Sequence, residues 1–288
     1  MSEIFERVTI VGVGLIGGSL GLAVRRGTLA RTVVGVGHRQ VSIDRALEMG
    51  VIDEGTLDAA EGVKDADLVV LATAIGLITA IGEQIAPALK SGCIVTDVGS
   101  TKSQIVRRMT SVLPAGVHFV GAHPIAGSEK RGIDAAETDL FRDTTCVLTP
   151  TDATPPDAVD RVRKLWEAVG ARVSMLDPEE HDTILARTSH LPHAMAAMLI
   201  ATLTDVDGRF VGTGIRDTTR VASGDVNIWC DILLSNREAF LQAVDGFSGR
   251  LDALRRAVDT ADRSALAEIL ARAKTRRDGL WPDGSAVE

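Results

Sequence analysis

Four groups of residues in this chain have side chains suited to chemistry. His123, in the run Gly121-Ala122-His123-Pro124, carries an imidazole whose ordinary pKa near ~6.5 lets it accept a proton at neutral pH. Pro124 stiffens its backbone, and Gly121 and Gly127 flank it. Ser100, in Asp97-Val98-Gly99-Ser100-Thr101-Lys102, places a hydroxyl where a helix begins, a common N-cap position, and Thr101 could serve as the cap instead. Arg216, Asp217 and Arg220 crowd one short segment. A guanidinium fork can grip a carboxylate bidentately, although Arg220 could equally pair with Asp217 three residues earlier. His190 and His193 lie one helical turn apart around Pro192. A metal would need a third ligand, and the sequence nominates none, so no metal is expected.

The elements that must position these groups begin at residue 8. The apolar run Val8-Thr9-Ile10-Val11 ends in Gly12-x-Gly14-x-x-Gly17 and continues at helical spacing through Leu20, Leu22 and Val24. Strand, glycines and helix in that order make a dinucleotide turn: Gly12 turns the chain, Gly14 admits the pyrophosphate, and Gly17 lets helix pack on strand. The phosphates would rest on free N–H groups at the helix start. Gly12, Gly14, Leu15, Ile16 and Gly17 are therefore expected cofactor contacts, with Ala72 and Thr73 at the end of a later strand. The end of the second strand decides NAD against NADP. Gly37-His38-Arg39-Gln40 offers no carboxylate for a ribose 2′-hydroxyl and one arginine for a 2′-phosphate, so His38 and Arg39 favour NADP over NAD.

Further strands are expected at residues 32–37, 67–72, 93–97, 117–122, 146–148 and 172–176, with helices at 77–89, 102–113 and 157–169. That alternation predicts an α/β fold, an N-terminal Rossmann-type doubly wound parallel sheet over residues 1–176. Strand signals stop there. Apolar-periodic segments at 180–203, 226–234, 236–258 and 264–275 predict an all-α C-terminal dimerisation domain over 177–288, with a loose tail from 279. Helices as apolar as residues 194–203 need partners, which a homodimer through the helical domain would supply.

Composition narrows the function. The net charge of −8 without a Lys/Arg cluster excludes nucleic acid as an expected partner. No apolar run reaches membrane length, and the polar N-terminus does not read as a signal peptide. Three scattered cysteines, Cys93, Cys146 and Cys230, suit a reducing cytoplasm.

Taken together, the glycine turn and the four runs around Ser100, His123, His190 and Arg220 resemble the prephenate and arogenate dehydrogenases of tyrosine biosynthesis, in order and spacing, from Val8 to about Trp281. The resemblance implies a small anionic cyclohexadienyl substrate that loses a hydride to NAD(P) and its ring carboxylate as carbon dioxide. It makes His123 the base that takes the ring hydroxyl proton and Ser100 a hydrogen-bonding partner of that hydroxyl. Arg220 is implied as the carboxylate grip. His193, His190 and Arg216 are expected at the substrate pocket, and Trp229 near it or contributed by a partner subunit. Three other readings compete. A β-hydroxyacid dehydrogenase would need a helical-domain lysine, and Lys274 is the only one after Lys164. A 4-amino-4-deoxyprephenate dehydrogenase would share every motif, and a sensor would bind nicotinamide without turnover.

Overall fold

The computed structural model describes residues 3–127 and 130–280, in two compact units, Met1–Arg237 and Glu238–Glu288. In the first unit an eight-stranded sheet is built from β1 (Phe5–Val11), β2 (Ala30–Val36), β3 (Glu54–Thr56), β4 (Leu68–Leu71), β5 (Ile94–Asp97), β6 (His118–Ile125), β7 (Thr145–Thr149) and β8 (Arg172–Met175). The strand order is β3-β2-β1-β4-β5-β6-β7-β8. The central strands are apolar on both faces and buried, as a sheet covered by helices on both sides requires. The covering helices are α1 (Leu15–Arg26), α2 (Gln40–Glu48), α3 (Ala59–Val63), α4 (Ile75–Ile85), α5 (Ser103–Val112) and α6 (Pro156–Ala168). Two apolar clusters fill the space between them, one anchored by the edge-on pair Phe141 and Trp166.

The sheet corrects the sequence reading at two places. It is parallel only from β1 to β6; β7 runs antiparallel to β6, and β8 follows β7. The strand expected to end at 122 continues to Ile125, so His123 lies within β6 and not after it. The reason is the reversed neighbour. Pairing with β5 stops at Val120, whereas Gly121 to Ile125 pair with Thr149 to Thr145 of β7. Pro124, with no N–H to give, therefore lacks only a bond that no β5 residue is there to accept. β3, α2 and α3 lie in a stretch to which the sequence reading assigned no element.

The helical part of the first unit comprises α7 (Pro178–Leu185), α8 (Leu191–Ala201), α9 (Thr213–Thr219) and α10 (Val226–Ser235). The helix expected across 180–203 is interrupted by a π-helical turn, Ala186–His190, closed by the Leu191 N–H on the Ala186 carbonyl. Pro192, in the first turn of α8, has no N–H for the normal ladder, and the wider turn accommodates it. The second unit contains α11 (Arg237–Asp259), whose first residue closes the first unit, and α12 (Arg263–Leu280), close to the two expected helices. Gly279 and Leu280 of the expected tail are helical, and the rest of that tail lies outside the described residues. No helix among the described residues is long and apolar enough to cross a membrane.

Candidate active site

Strand order reverses where β1 lies between β2 and β4, and open α/β sheets bind ligands at the carboxyl ends of the strands there. The glycine turn stands at that point. Gly12 has φ +103°, and a Cβ on it would come within 2.5 Å of the Ala72 carbonyl oxygen and 3.1 Å of Thr73 Cγ2. The close approach that requires glycine thus also brings Ala72 and Thr73 beside the turn. A Cβ on Gly17 would meet the Gly12 oxygen at 2.0 Å. Gly14 N-caps α1 with no side-chain cap, and open space surrounds its Cβ position. The first N–H groups of α1, including those of Leu15 and Ile16, are left to an anion, a cradle that fits a pyrophosphate. After β2, His38 and Arg39 are exposed and no acid accompanies them.

His123 is held from behind. It is 8 % exposed, and its Nδ1 lies 2.9 Å from Nε2 of His181 on α7. The His181 Nδ1 in turn lies 2.9 Å from Asp182 Oδ1. Asp182 also accepts the backbone N–H groups of Lys102 at 2.7 Å and Ser103 at 2.9 Å, and so caps α5. This corrects the expectation that Ser100 or Thr101 caps that helix. Thr101 Oγ1 instead donates to Ser235 Oγ at 3.0 Å. Asp182 falls below the usual carboxylate range because His181 and these α5 donors outweigh the opposing effect of burial.

Beneath the site lies a buried ion pair. The Lys102 ammonium, fully buried, bonds to Asp97 Oδ2 and donates to the Ala122 carbonyl at 2.9 Å. Asp97 Oδ1 accepts the Ala122 N–H at 3.1 Å. The residue before His123 is therefore fixed on both backbone groups. Ser100 is partly buried in the loop between β5 and α5, next to β6 in the sheet.

His190 and His193 stand at different stations. Asn236 donates one amide hydrogen to the Asp182 carbonyl at 2.7 Å and the other to His190 Nδ1 at 3.1 Å. His190 must then carry its own proton on Nε2. Burial pushes its pKa down to about 4. His193 is buried, its Nδ1 has no hydrogen-bond partner among the described residues, and its ring stacks on Trp229 at 3.5 Å. Trp229 of the same chain thus reaches these histidines, beside Gly224. Burial, then the neighbouring His181, Lys102 and His190, hold the pKa of His123 well below the ordinary value, and burial lowers that of His193. All three rings are neutral at pH 7.

Arg216 lies on α9, and Arg220 opens the 3-10 turn that follows and packs on α8, which carries His193. Both guanidinium groups are exposed, and no Arg220–Asp217 ion pair forms among the described residues. Sequence reasoning missed His181, Asp182, Asn236 and the Lys102–Asp97 pair. An adjacent His-Asp dipeptide was the one available signal, but nothing in a spacing of 58 residues ties it to His123.

A glycine-turn nucleotide fold whose sheet presents a neutral, backbone-fixed histidine beside a helical region is that of a nicotinamide-dependent dehydrogenase. Residues 20–175 match the nucleotide-binding domain of prephenate dehydrogenase and residues 177–272 its dimerization domain. The chain belongs to the prephenate dehydrogenase family. It is 35 % identical to the prephenate dehydrogenase of Bacillus subtilis over 97 % of this chain and 77 % of that protein. The crystal structure of the Aquifex aeolicus prephenate dehydrogenase with hydroxyphenyl propionate and NAD+ superposes with TM-score 0.89 at 33 % identity, covering 97 % of this chain and 99 % of that one. Synechocystis arogenate dehydrogenase superposes with TM-score 0.84 at 31 % identity, covering 95 % and 99 %.

Proposed function

We propose that this enzyme oxidatively decarboxylates prephenate or arogenate, with hydride transfer to NAD(P)+, and that His123 is its base. The kinship with prephenate and arogenate dehydrogenases supports the reaction. The observation that carries the base is local: His123 is buried and neutral, and its Nδ1 is occupied, which leaves Nε2 to take a proton. The nicotinamide, when bound, accepts the hydride. The protein binds and orients the ring, excludes water and holds the hydroxyl proton. Aromatisation supplies the driving force, so no step requires a metal. Positioning, together with general-base help worth about 10²–10⁴-fold, is what remains for the protein to provide.

Ser100 would hydrogen-bond the reacting hydroxyl from the β5–α5 loop. Arg220 would grip a substrate carboxylate, with Arg216 adding positive charge. His193, whose buried Nδ1 has no hydrogen-bond partner among the described residues, and His190, which presents an Nε2 donor, would meet the rest of the substrate. Gly12, Gly14, Leu15, Ile16, Gly17, Ala72 and Thr73 would hold the dinucleotide within residues 1–176, and 177–288 would carry substrate and dimer contacts. Exposed His38 and Arg39, with no acid beside them, favour NADP. Met198, Leu199 and Ile200 on α8 and Phe210, 82 % exposed, form apolar surface suited to a second copy of this chain. Cys93, Cys146 and Cys230 are all free, in keeping with a reducing cytoplasm.

The test is the initial rate of nicotinamide reduction with prephenate or arogenate, each with NAD or NADP, for the wild type and His123→Asn. Asparagine keeps a donor near the Nδ1 position but has no base at Nε2. Turnover should fall by about 10²-fold or more while cofactor affinity holds. Barely changed turnover would remove His123 as the base. Silence in all four combinations with cofactor still bound would remove the reaction.

A further inference from the structure

Asp182 accepts from two backbone N–H groups of the α5 terminus, and as a carboxylate it can only accept from His181. The His181 Nδ1 must therefore carry a hydrogen, and in the neutral ring Nε2 is then a bare acceptor. His123 Nδ1, 2.9 Å away, must supply the hydrogen for that contact. With His181 neutral, the direction of each hydrogen bond in the series follows from the fixed anion at its end. We propose that His181 and Asp182 are positioning residues for the reaction: they fix His123 in the Nδ1–H form, with Nε2 bare, and share the proton it takes.

This inference rests on His123 being the base, and the proton balance of the reaction favours it. A hydride leaves the hydroxyl-bearing ring carbon for the nicotinamide. The bond from the opposite ring carbon to its carboxylate breaks, carbon dioxide leaves, and the electron pair enters the new aromatic ring. The hydroxyl proton taken by His123 Nε2 goes back to the phenolic oxygen. No net proton is released, so the proton needs a temporary store and no exit to solvent. His181 is fully buried and Asp182 is 3 % exposed, which gives a closed store. As Nε2 gains its proton, the Nδ1 proton of His123 moves toward His181 Nε2, and the His181 Nδ1–H remains on Asp182. When the proton returns to oxygen, each bond reverts. Without such sharing, burial and the nearby Lys102 ammonium would oppose a charged His123.

Two variants of His181 and one spectrum test the proposal. Phenylalanine removes the acceptor. Glutamine can keep an acceptor near the Nε2 position but cannot take the proton. His181→Phe should lower kcat on the order of 10²-fold with little change in KM for cofactor or substrate, the signature of a group felt in the transition state. His181→Gln, which keeps the orientation but not the sharing, should recover only part of that loss, and the solvent-isotope dependence of kcat should change from bowed, with two protons moving, to linear. In wild type labelled with nitrogen-15 histidine, six rings are to be assigned. The His123 resonances at neutral pH should report hydrogen on Nδ1. A His123 with hydrogen on Nε2, or a kcat for His181→Phe within twofold of wild type, overturns the proposal. Should the phenylalanine variant fail to fold, the spectrum and the glutamine variant still decide. The spectrum needs no substrate, so an inactive wild type with the Nδ1–H form would count against the assigned reaction and not against the hydrogen-bond direction.

Discussion

Lowering the pH tests the Asn236–His190 contact through stability. Asn236 must present a hydrogen to His190 Nδ1, because its amide also donates to the Asp182 carbonyl. Protonating His190 would set a second donor against the first in a buried site. Burial agrees in sign, bringing the pKa from the ordinary 6.5 to about 4. The unfolded chain therefore binds a proton between those values that the folded chain refuses. The associated stability is fully present above the ordinary value and is lost as pH falls toward the folded one. The whole displacement is worth about 3 kcal/mol, of which about 2 kcal/mol is expressed on going from pH 7 to pH 5. His190→Asn removes the titrating ring and keeps an oxygen near Nδ1 to accept from Asn236. Urea unfolding at both pH values, at fixed protein concentration, should show the wild type losing about 2 kcal/mol more than the variant. Equal losses would refute the argument that His190 is held neutral.

Lys102→Met would leave Asp97 buried without its cation and should cost about 3–5 kcal/mol, read as a lowered Tm. An unchanged Tm would mean that Asp97 is satisfied by backbone donors alone. Arg220→Ala should raise KM for the cyclohexadienyl substrate by the equivalent of about 2–4 kcal/mol of charged contact, and an unchanged KM would place the carboxylate grip elsewhere.

Local signals made much of this molecule readable from its sequence. The glycine turn, the apolar runs of β1, β4 and β5 and the periodicity of α11 and α12 depend on neighbours a few residues away, and all fall close to where the sequence places them. Long-range pairing set the rest. β7 reverses direction and extends β6 to enclose His123, and no pattern within residues 117–125 announces it. Asp182 takes the α5 cap that Ser100 and Thr101 were placed to provide, because a buried carboxylate held by two N–H groups and a histidine is satisfied more fully than a loop hydroxyl would be. His123 was legible from its motif, but the hydrogen bonds that give it direction come from residues remote in sequence.

The cap on α5 also bears on how the chain comes into being. The carboxylate that completes the start of this helix arrives 80 residues after the first N–H group it serves. On a ribosome, the nucleotide-binding half would emerge with that helix end unfinished, and it would be capped only once α7 is synthesised. A fragment cut at residue 176 would keep its glycine turn and all eight strands of its sheet, yet leave two N–H groups bare and His123 without its hydrogen-bond partner. The joint between the two family domains is therefore a poor place to divide this protein.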